Sequence, residues 1–350
     1  MPKNIVFCAD GTWDHPNSTA GPSPNDTNVY KLFKSLSTSA TQVPYYDDGV
    51  GVTPEPIEHF VGGAFGTGLW HKITDAYTKI AHAYEQDDRL YIFGFSRGAY
   101  TARSLAGMIA IAGLPTANFS QAVVDTAFQA YRDKDDRAAL LASLSGSNMY
   151  NAQITMVGVW DTVGALGIPA IFGANDEILY GFLDTGLHPD VHSAYHAVAI
   201  DERRVEFKPT LWTGPTAPDQ IVEQVWFAGV HCDVGGSYPE TGLSDITLSW
   251  MLNNAIAQGV EVDPAAAAKY TGIDPKNSLD KIHESWNLLW TFPVRRSVPA
   301  DATIANSVDI RVAGEVGYHP PNLHYDAAGK LTGYSTETVV TIPMTMATGA

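Results

Sequence analysis

One strand-to-helix junction constrains this chain more than any other stretch in it. Residues 89–93 are a short apolar, aromatic-rich run, Arg-Leu-Tyr-Ile-Phe. Gly94-Phe95-Ser96-Arg97-Gly98 follows, and then Ala99, Ala102, Leu105, Met108, Ile109 and Ala112 recur at helical spacing. Glu85-Gln86-Asp87-Asp88 bounds the run in front, so it reads as a buried strand rather than a helix. G-x-S-x-G between a strand and a helix is the context of a nucleophile elbow. The turn is so tight that the residues around its serine must be small, which Gly94 and Gly98 supply. The serine oxygen then projects above the strand end, where the helix start presents free N–H groups.

The same alternation runs along the chain. Asn4–Ala9 is a buried strand ending at Asp10-Gly11-Thr12-Trp13. A turn-rich surface stretch leads to a helix with Val29, Leu32, Phe33 and Leu36 on its apolar face, capped by Thr27 or Asn28. Residues 42–46, 154–159 and 222–228 are further strands, and a helix carries Ile73, Tyr77, Ile80 and Tyr84. Residues 119–144 read as helical and mostly exposed, and a helical stretch is predicted around His188, His192 and His196. A further helix starts at Ser244-Asp245. Strands alternating with helices imply an α/β fold with a mostly parallel sheet covered on both faces. The whole chain, 1–350, reads as a single domain, with 262–330 a loop-rich cap or insertion within it and the residues from 331 an edge strand or tail.

Four strands end in a polar residue at the sheet edge where open α/β sheets bind ligands: Asp10, Ser96, Asp161 and His231. Ser96, the expected nucleophile, needs a base to take its proton. His231 alone among the eleven histidines closely follows a predicted buried strand. Such a histidine needs an acid to fix its tautomer, and Asp161 is the choice over Asp233, which is too near in the chain to face His231 easily. An oxyanion needs two preorganised N–H donors. Arg97, following the nucleophile, supplies one, and Gly11 or Thr12 the other, with Asp10 holding that turn. The first strand is therefore expected beside the Ser96 strand. Trp13, Phe95, Ile168, Phe172, Trp286 and Trp290 are the expected lining of an acyl pocket, which fits esters better than sugars.

Composition excludes other classes. The net charge of −17 argues against nucleic acid and against electrostatic docking on an anionic membrane. Two cysteines, Cys8 and Cys232, form no metal knuckle or disulfide framework. No cofactor or metal is expected. His188, His192 and His196 lack an H-E-x-x-H, and the glycine-rich 62–68 lacks the G-K-[ST] ending of a phosphate loop. A strand ending in Asp-Gly-Thr also suggests aspartyl-phosphate chemistry, but its nucleophile position holds Cys8. No run of 18 apolar residues and no secretory leader occurs, so a location in the cytoplasm, or export without a cleaved signal peptide, is expected. Partners reduce to a small-molecule or lipid ester. The alternative is a catalytically silent binding module on the same fold.

The set Cys8-Ala-Asp-Gly-Thr-Trp, Thr27-Asn28, Tyr46-Asp-Asp-Gly-Val-Gly, Gly94-Phe-Ser-Arg-Gly-Ala, Val159-Trp-Asp-Thr-Val-Gly, Ala199-Ile-Asp-Glu-Arg-Arg and Gly229-Val-His-Cys-Asp-Val-Gly-Gly-Ser-Tyr resembles the uncharacterised α/β-hydrolase family that includes the catalytic domain of type VI secretion phospholipase effectors. Ala305-Asn-Ser-Val stands where that family often shows His-Pro-Ser-Val. The resemblance implies an α/β-hydrolase fold, ester hydrolysis by a serine nucleophile, and in some relatives cleavage of acyl chains from phospholipids.

Overall fold

The computed structural model describes residues 2–11, 26–48, 64–117, 119–147, 149–163, 185–271, 274–287, 292–314 and 317–340. In chain order the elements begin with β1 (Asn4–Ala9), α1 (Asn28–Ser35), β2 (Gln42–Asp47), α2 (Ala64–Ala83), β3 (Arg89–Phe95) and α3 (Arg97–Ala112). Next come β4 (Leu114–Pro115), α4 (Gln121–Arg132), α5 (Arg137–Leu144), β5 (Met149–Tyr150), β6 (Ile154–Trp160), β7 (Val191–Ala199) and β8 (Ile221–Phe227). The chain continues through α6 (His231–Gly235), α7 (Gly242–Ala257), α8 (Pro264–Ala267), β9 (Thr303–Ala305), α9 (Asn306–Gly314) and β10 (Ser335–Glu337).

Eight strands form one sheet in the order β10-β9-β8-β7-β6-β3-β1-β2, and every pairing in it is parallel; β4 and β5 form a separate antiparallel ladder. This is the α/β architecture that strand–helix alternation predicts. Period-two alternation sorts β1 between two cores. Ile5, Phe7 and Ala9 face the layer of α2 and α3 with Ile73, Tyr77, Leu105 and Met108. Val6 and Cys8 face the layer of α1 and α7 with Leu32, Trp250 and Met251. Strands buried on both faces are mostly apolar, and β1, apolar except for Asn4, is buried at all six positions. A third, smaller core joins Val198, Trp226, Ile304 and Val308 near β9 and α9.

The chain runs from β1 outward to β2 and returns through α2 to β3 on the other side of β1. That reversal makes the carboxyl ends of β1 and β3 the switch point of the sheet, where a crevice opens between the diverging connections. Asp10 and Ser96 each directly follow one of those strands.

The structure changes the expectation for the histidine segment. Val191–Ala199, with His192 and His196, is a central strand and not a helix. A spacing of four satisfies both periods, and Val191–Ala199 is a strand buried at every position but His192. The glycine-rich stretch at 62–68 is helical from Ala64 onward. Residues 119–144, expected to be helical and mostly exposed, form α4 and α5, and α4 buries Val123, Val124, Ala127, Ala130 and Tyr131.

Candidate active site

Ser96 lies between β3 and α3 with φ 57° and ψ −120°, a strained backbone for a residue with a side chain. The surroundings over-determine it. A Cβ on Gly94 would sit 2.4 Å from Gly98 O, and one on Gly98 would sit 2.2 Å from Ala9 O and 2.5 Å from Asp10 O. Only glycine lets β1, β3 and the start of α3 approach this closely. Ser96 N–H donates to Trp160 O at 3.1 Å, pinning the elbow to β6.

Asp161 turns the chain at the end of β6 with φ 38°, a conformation that Asp tolerates better than most residues. His231 opens α6 just beyond β8. The three side chains form one line. His231 Nε2 is 2.9 Å from Ser96 Oγ, and His231 Nδ1 is 2.6 Å from Asp161 Oδ2. An ionised carboxylate only accepts, so Nδ1–H donates to Asp161 and Nε2 keeps its lone pair for the serine hydroxyl. The His231 ring lies tilted against Phe95 with centroids 4.6 Å apart and meets the edge of Phe207 at 4.9 Å. Burial lowers the His231 pKa below its ordinary value, and the Asp161 hydrogen bond and charge only partly oppose this.

Sequence reasoning missed Arg296. Its Nη1 and Nη2 donate to Asp161 Oδ1 and Oδ2 at 2.6 and 2.9 Å, and also to Ala199 O and Phe207 O at 2.7 and 2.5 Å. Ala199 N–H also donates to Asp161 Oδ1 at 3.0 Å, so with His231 the carboxylate takes four donors. Burial pushes the Asp161 carboxyl up, but Arg296 and the His231 hydrogen bond outweigh it and hold the group far below the ordinary carboxylate range.

Glu202, wholly buried, is a second hub. It accepts from His231 N–H at 3.2 Å, from Arg204 Nε and Nη2 at 3.0 and 2.9 Å, and from Ser285 Oγ–H at 2.9 Å. Burial raises its pKa and Arg204 more than reverses this, bringing it to about 2. Asp233 does not reach His231. Its Oδ2 accepts from Val230 N–H at 2.9 Å, and its Oδ1 meets His283 Nδ1 at 2.6 Å. Glu202 and Arg204 lay within the motif set that carries the family resemblance, whereas no local pattern marks Arg296 or His283.

Asp10 holds the end of β1. Its Oδ2 accepts from Thr27 Oγ1–H and Tyr46 O–H, each at 2.6 Å, and its Oδ1 from Gly11 N–H at 2.7 Å. β1 pairs with β3 with Ala9 opposite Gly94, so the Asp10-Gly11 end lies beside the elbow as the sequence reading expected. Trp286 is half-buried. Thr12, Trp13, Ile168, Phe172 and Trp290 lie outside the described residues. His188, His192 and His196 do not converge. His192 is exposed, and His196 Nε2 accepts from Thr162 N–H at 3.0 Å, which holds the turn behind Asp161. Among the described residues no cluster of three or more His, Cys, Asp or Glu side chains could hold a metal. No described helix is long and apolar enough to cross a membrane. A cavity of about 230 Å³ between Arg103, Tyr131, His188 and Trp212 is lined by none of the three aligned side chains.

Residues 3–254 match the family model described as "T6SS, Phospholipase effector Tle1-like, catalytic domain". An uncharacterized protein of Saccharomyces cerevisiae, YEL023C, is 32% identical over 237 residues, covering 60% of this chain and 33% of the yeast protein. The chain thus spans about a third of the length of that curated relative. An uncharacterized protein from Pseudomonas aeruginosa of known crystal structure matches with 19% identity and a TM-score of 0.49, over 79% of this chain and 49% of that one. The Tle1 effector bound to the VgrG spike from the type 6 secretion system matches with 17% identity and a TM-score of 0.39, over 68% and 52% of the two chains.

Proposed function

The chain belongs to the Tle1-like catalytic-domain family of type VI secretion phospholipase effectors, and on that premise we propose that it hydrolyses carboxylic esters of lipids through a Ser96-His231-Asp161 triad. The observation that carries this reading is the hydrogen-bonded line from Ser96 Oγ through His231 to Asp161 at a strained elbow.

Ser96 Oγ attacks the ester carbonyl carbon while its proton moves to His231 Nε2. The carbonyl π electrons go to oxygen, and the resulting oxyanion is met by the N–H of Arg97 at the start of α3. The second donor comes from the Gly11-Thr12 segment. Gly11 N–H, turned to Asp10 Oδ1 in the resting arrangement, exchanges that partner for the oxyanion when substrate is bound. The tetrahedral intermediate collapses, the C–O bond to the alcohol breaks, and His231 Nε2 returns its proton to the leaving oxygen. Water then repeats the sequence on the acyl-enzyme, releasing the acid and restoring Ser96. Asp161 stays ionised throughout, held so by Arg296, and stabilises the imidazolium formed in each half. Phe95 and Phe207 clamp the imidazole from two sides and limit its rotation.

The test is a fluorophosphonate probe together with a p-nitrophenyl ester series and phospholipids as substrates. Labelling of Ser96 and hydrolysis that Ser96→Ala abolishes in a folded protein are expected. Retained hydrolysis in Ser96→Ala would remove the serine mechanism. Absence of both labelling and hydrolysis would favour the catalytically silent binding module.

A further inference from the structure

We propose that the ribbon made by residues 203–208 and 292–295 docks this chain on a zwitterionic phospholipid surface; the substrate part of this rests on the lipid-ester reading above. Residues 292–295, Phe-Pro-Val-Arg, are all exposed, Phe292 at 85% and Val294 at 51%; Val205 is exposed at 45%. An antiparallel bridge joins Arg204 to Pro293, and Val294 N–H donates to Arg203 O at 2.8 Å. Phe292 and Val294, two residues apart on an extended segment, point to the same side, and the bridge sets Val205, which opens a one-turn 3-10 helix after Arg204, next to that segment, so residues far apart in sequence bring exposed apolar side chains together. Single exposed apolar side chains need no explanation, but a contiguous group with a polar rim marks a contact surface.

Charge and position choose the occupant. Lys208 and Arg295 are exposed on the same segments and match lipid phosphates. Arg203 is ion-paired with Glu284, and the half-buried Glu206 is the one carboxylate within the ribbon itself. The chain as a whole carries −17, which opposes a strongly anionic bilayer. A surface whose headgroups balance fits both facts. The patch also abuts the site. Arg204 covers the Phe207 ring at 3.5 Å, Phe207 touches His231, and Arg296, next in sequence to Arg295, grips Asp161. A lipid layer resting on this ribbon brings its ester groups to the sheet edge that carries Ser96.

The experiment uses the full chain carrying Ser96→Ala, so that binding is read without turnover, in sedimentation with phosphatidylcholine vesicles. Binding is expected, and the added pair Phe292→Asp and Val294→Asp should lower the partition constant by about tenfold or more. With Ser96 intact, the same pair should leave hydrolysis of a soluble p-nitrophenyl ester unchanged while vesicle hydrolysis falls. No vesicle association, or association untouched by the pair, overturns the proposal. So does a change in oligomeric state with the pair but no vesicle association, which would assign the patch to a second copy of the chain. A chain that binds vesicles through the ribbon but hydrolyses no ester overturns the catalytic reading instead.

Discussion

Arg296→Met isolates the role of the guanidinium behind the acid. Methionine keeps an unbranched side chain of similar length, so the change removes charge and hydrogen bonds more than volume. The Arg296 and Asp161 side chains are 3% and 0% exposed, and two of the four Arg296 hydrogen bonds end on the carboxylate. Breaking a buried pair by removing one partner costs about 3–5 kcal/mol, because the remaining charge stays buried. Over 350 residues, at about 2.1 cal/mol/K per residue, that corresponds to a fall in Tm on the order of 4–7 °C. The effect has a defined pH sign. In the native protein Asp161 is held below its unfolded pKa, so its stabilisation is present above about pH 4 and is lost as pH falls through the folded value. Without Arg296, burial dominates and the Asp161 pKa rises. The Tm difference between the two proteins should therefore be largest near neutral pH and shrink toward acid. Ester hydrolysis by the variant should fail at a higher pH than in the parent, because a protonated Asp161 no longer stabilises the His231 imidazolium. Scanning fluorimetry from pH 4 to 8 with a kcat/KM profile reads both effects. A Tm within about 1 °C of the parent at neutral pH, less than a single kcal/mol would give, with a superimposable profile, would refute the argument.

Burial depresses the His231 pKa, so the acid limb of kcat/KM should lie below the ordinary imidazole value of 6.5; a limb above it would contradict the geometry. Because the folded pKa is the lower one, protonation favours unfolding, and this group's share of stability declines as pH drops through the unfolded value. Asp161→Asn leaves the buried Arg296 without its counter-charge, so the Tm should fall while the protein still folds, and kcat should drop by about 10⁴ because the amide favours the wrong His231 tautomer; a loss under tenfold would assign the acid elsewhere. Asp10→Ala releases Gly11, Thr27 and Tyr46 and should lower kcat with little change in KM, which steady-state kinetics on a soluble ester would separate. Gly235→Ala would put a Cβ 2.0 Å from the Phe95 ring that supports His231, so reduced kcat with a lowered Tm is expected, and an unchanged enzyme would show that this packing yields freely.

The family, the α/β class and the elbow were legible in the sequence because each is written locally. Strand, G-x-S-x-G and helix fall within about two dozen consecutive residues, and period-two burial of β1 and β3 follows from their apolar runs. Asp161 and His231 were legible for a related reason: each follows a recognisable strand, and parallel strands place their carboxyl ends on one edge. Local patterning stops at that edge. The spacing of His188, His192 and His196 was read as helical, but a spacing of four suits a strand as well, and pairing between β6 and β8 made Val191–Ala199 a strand. Asp161 was preferred over Asp233 in the linear chain only because Asp233 stands two residues from His231. Tertiary structure separated them by giving Asp233 its own histidine, His283, 50 residues later in the chain. Arg296 contacts an acid 135 residues earlier, and no spacing rule connects them. A buried carboxylate creates a demand for a cation, but any nearby loop can meet it, so the identity of that cation is set only when the chain closes around the site.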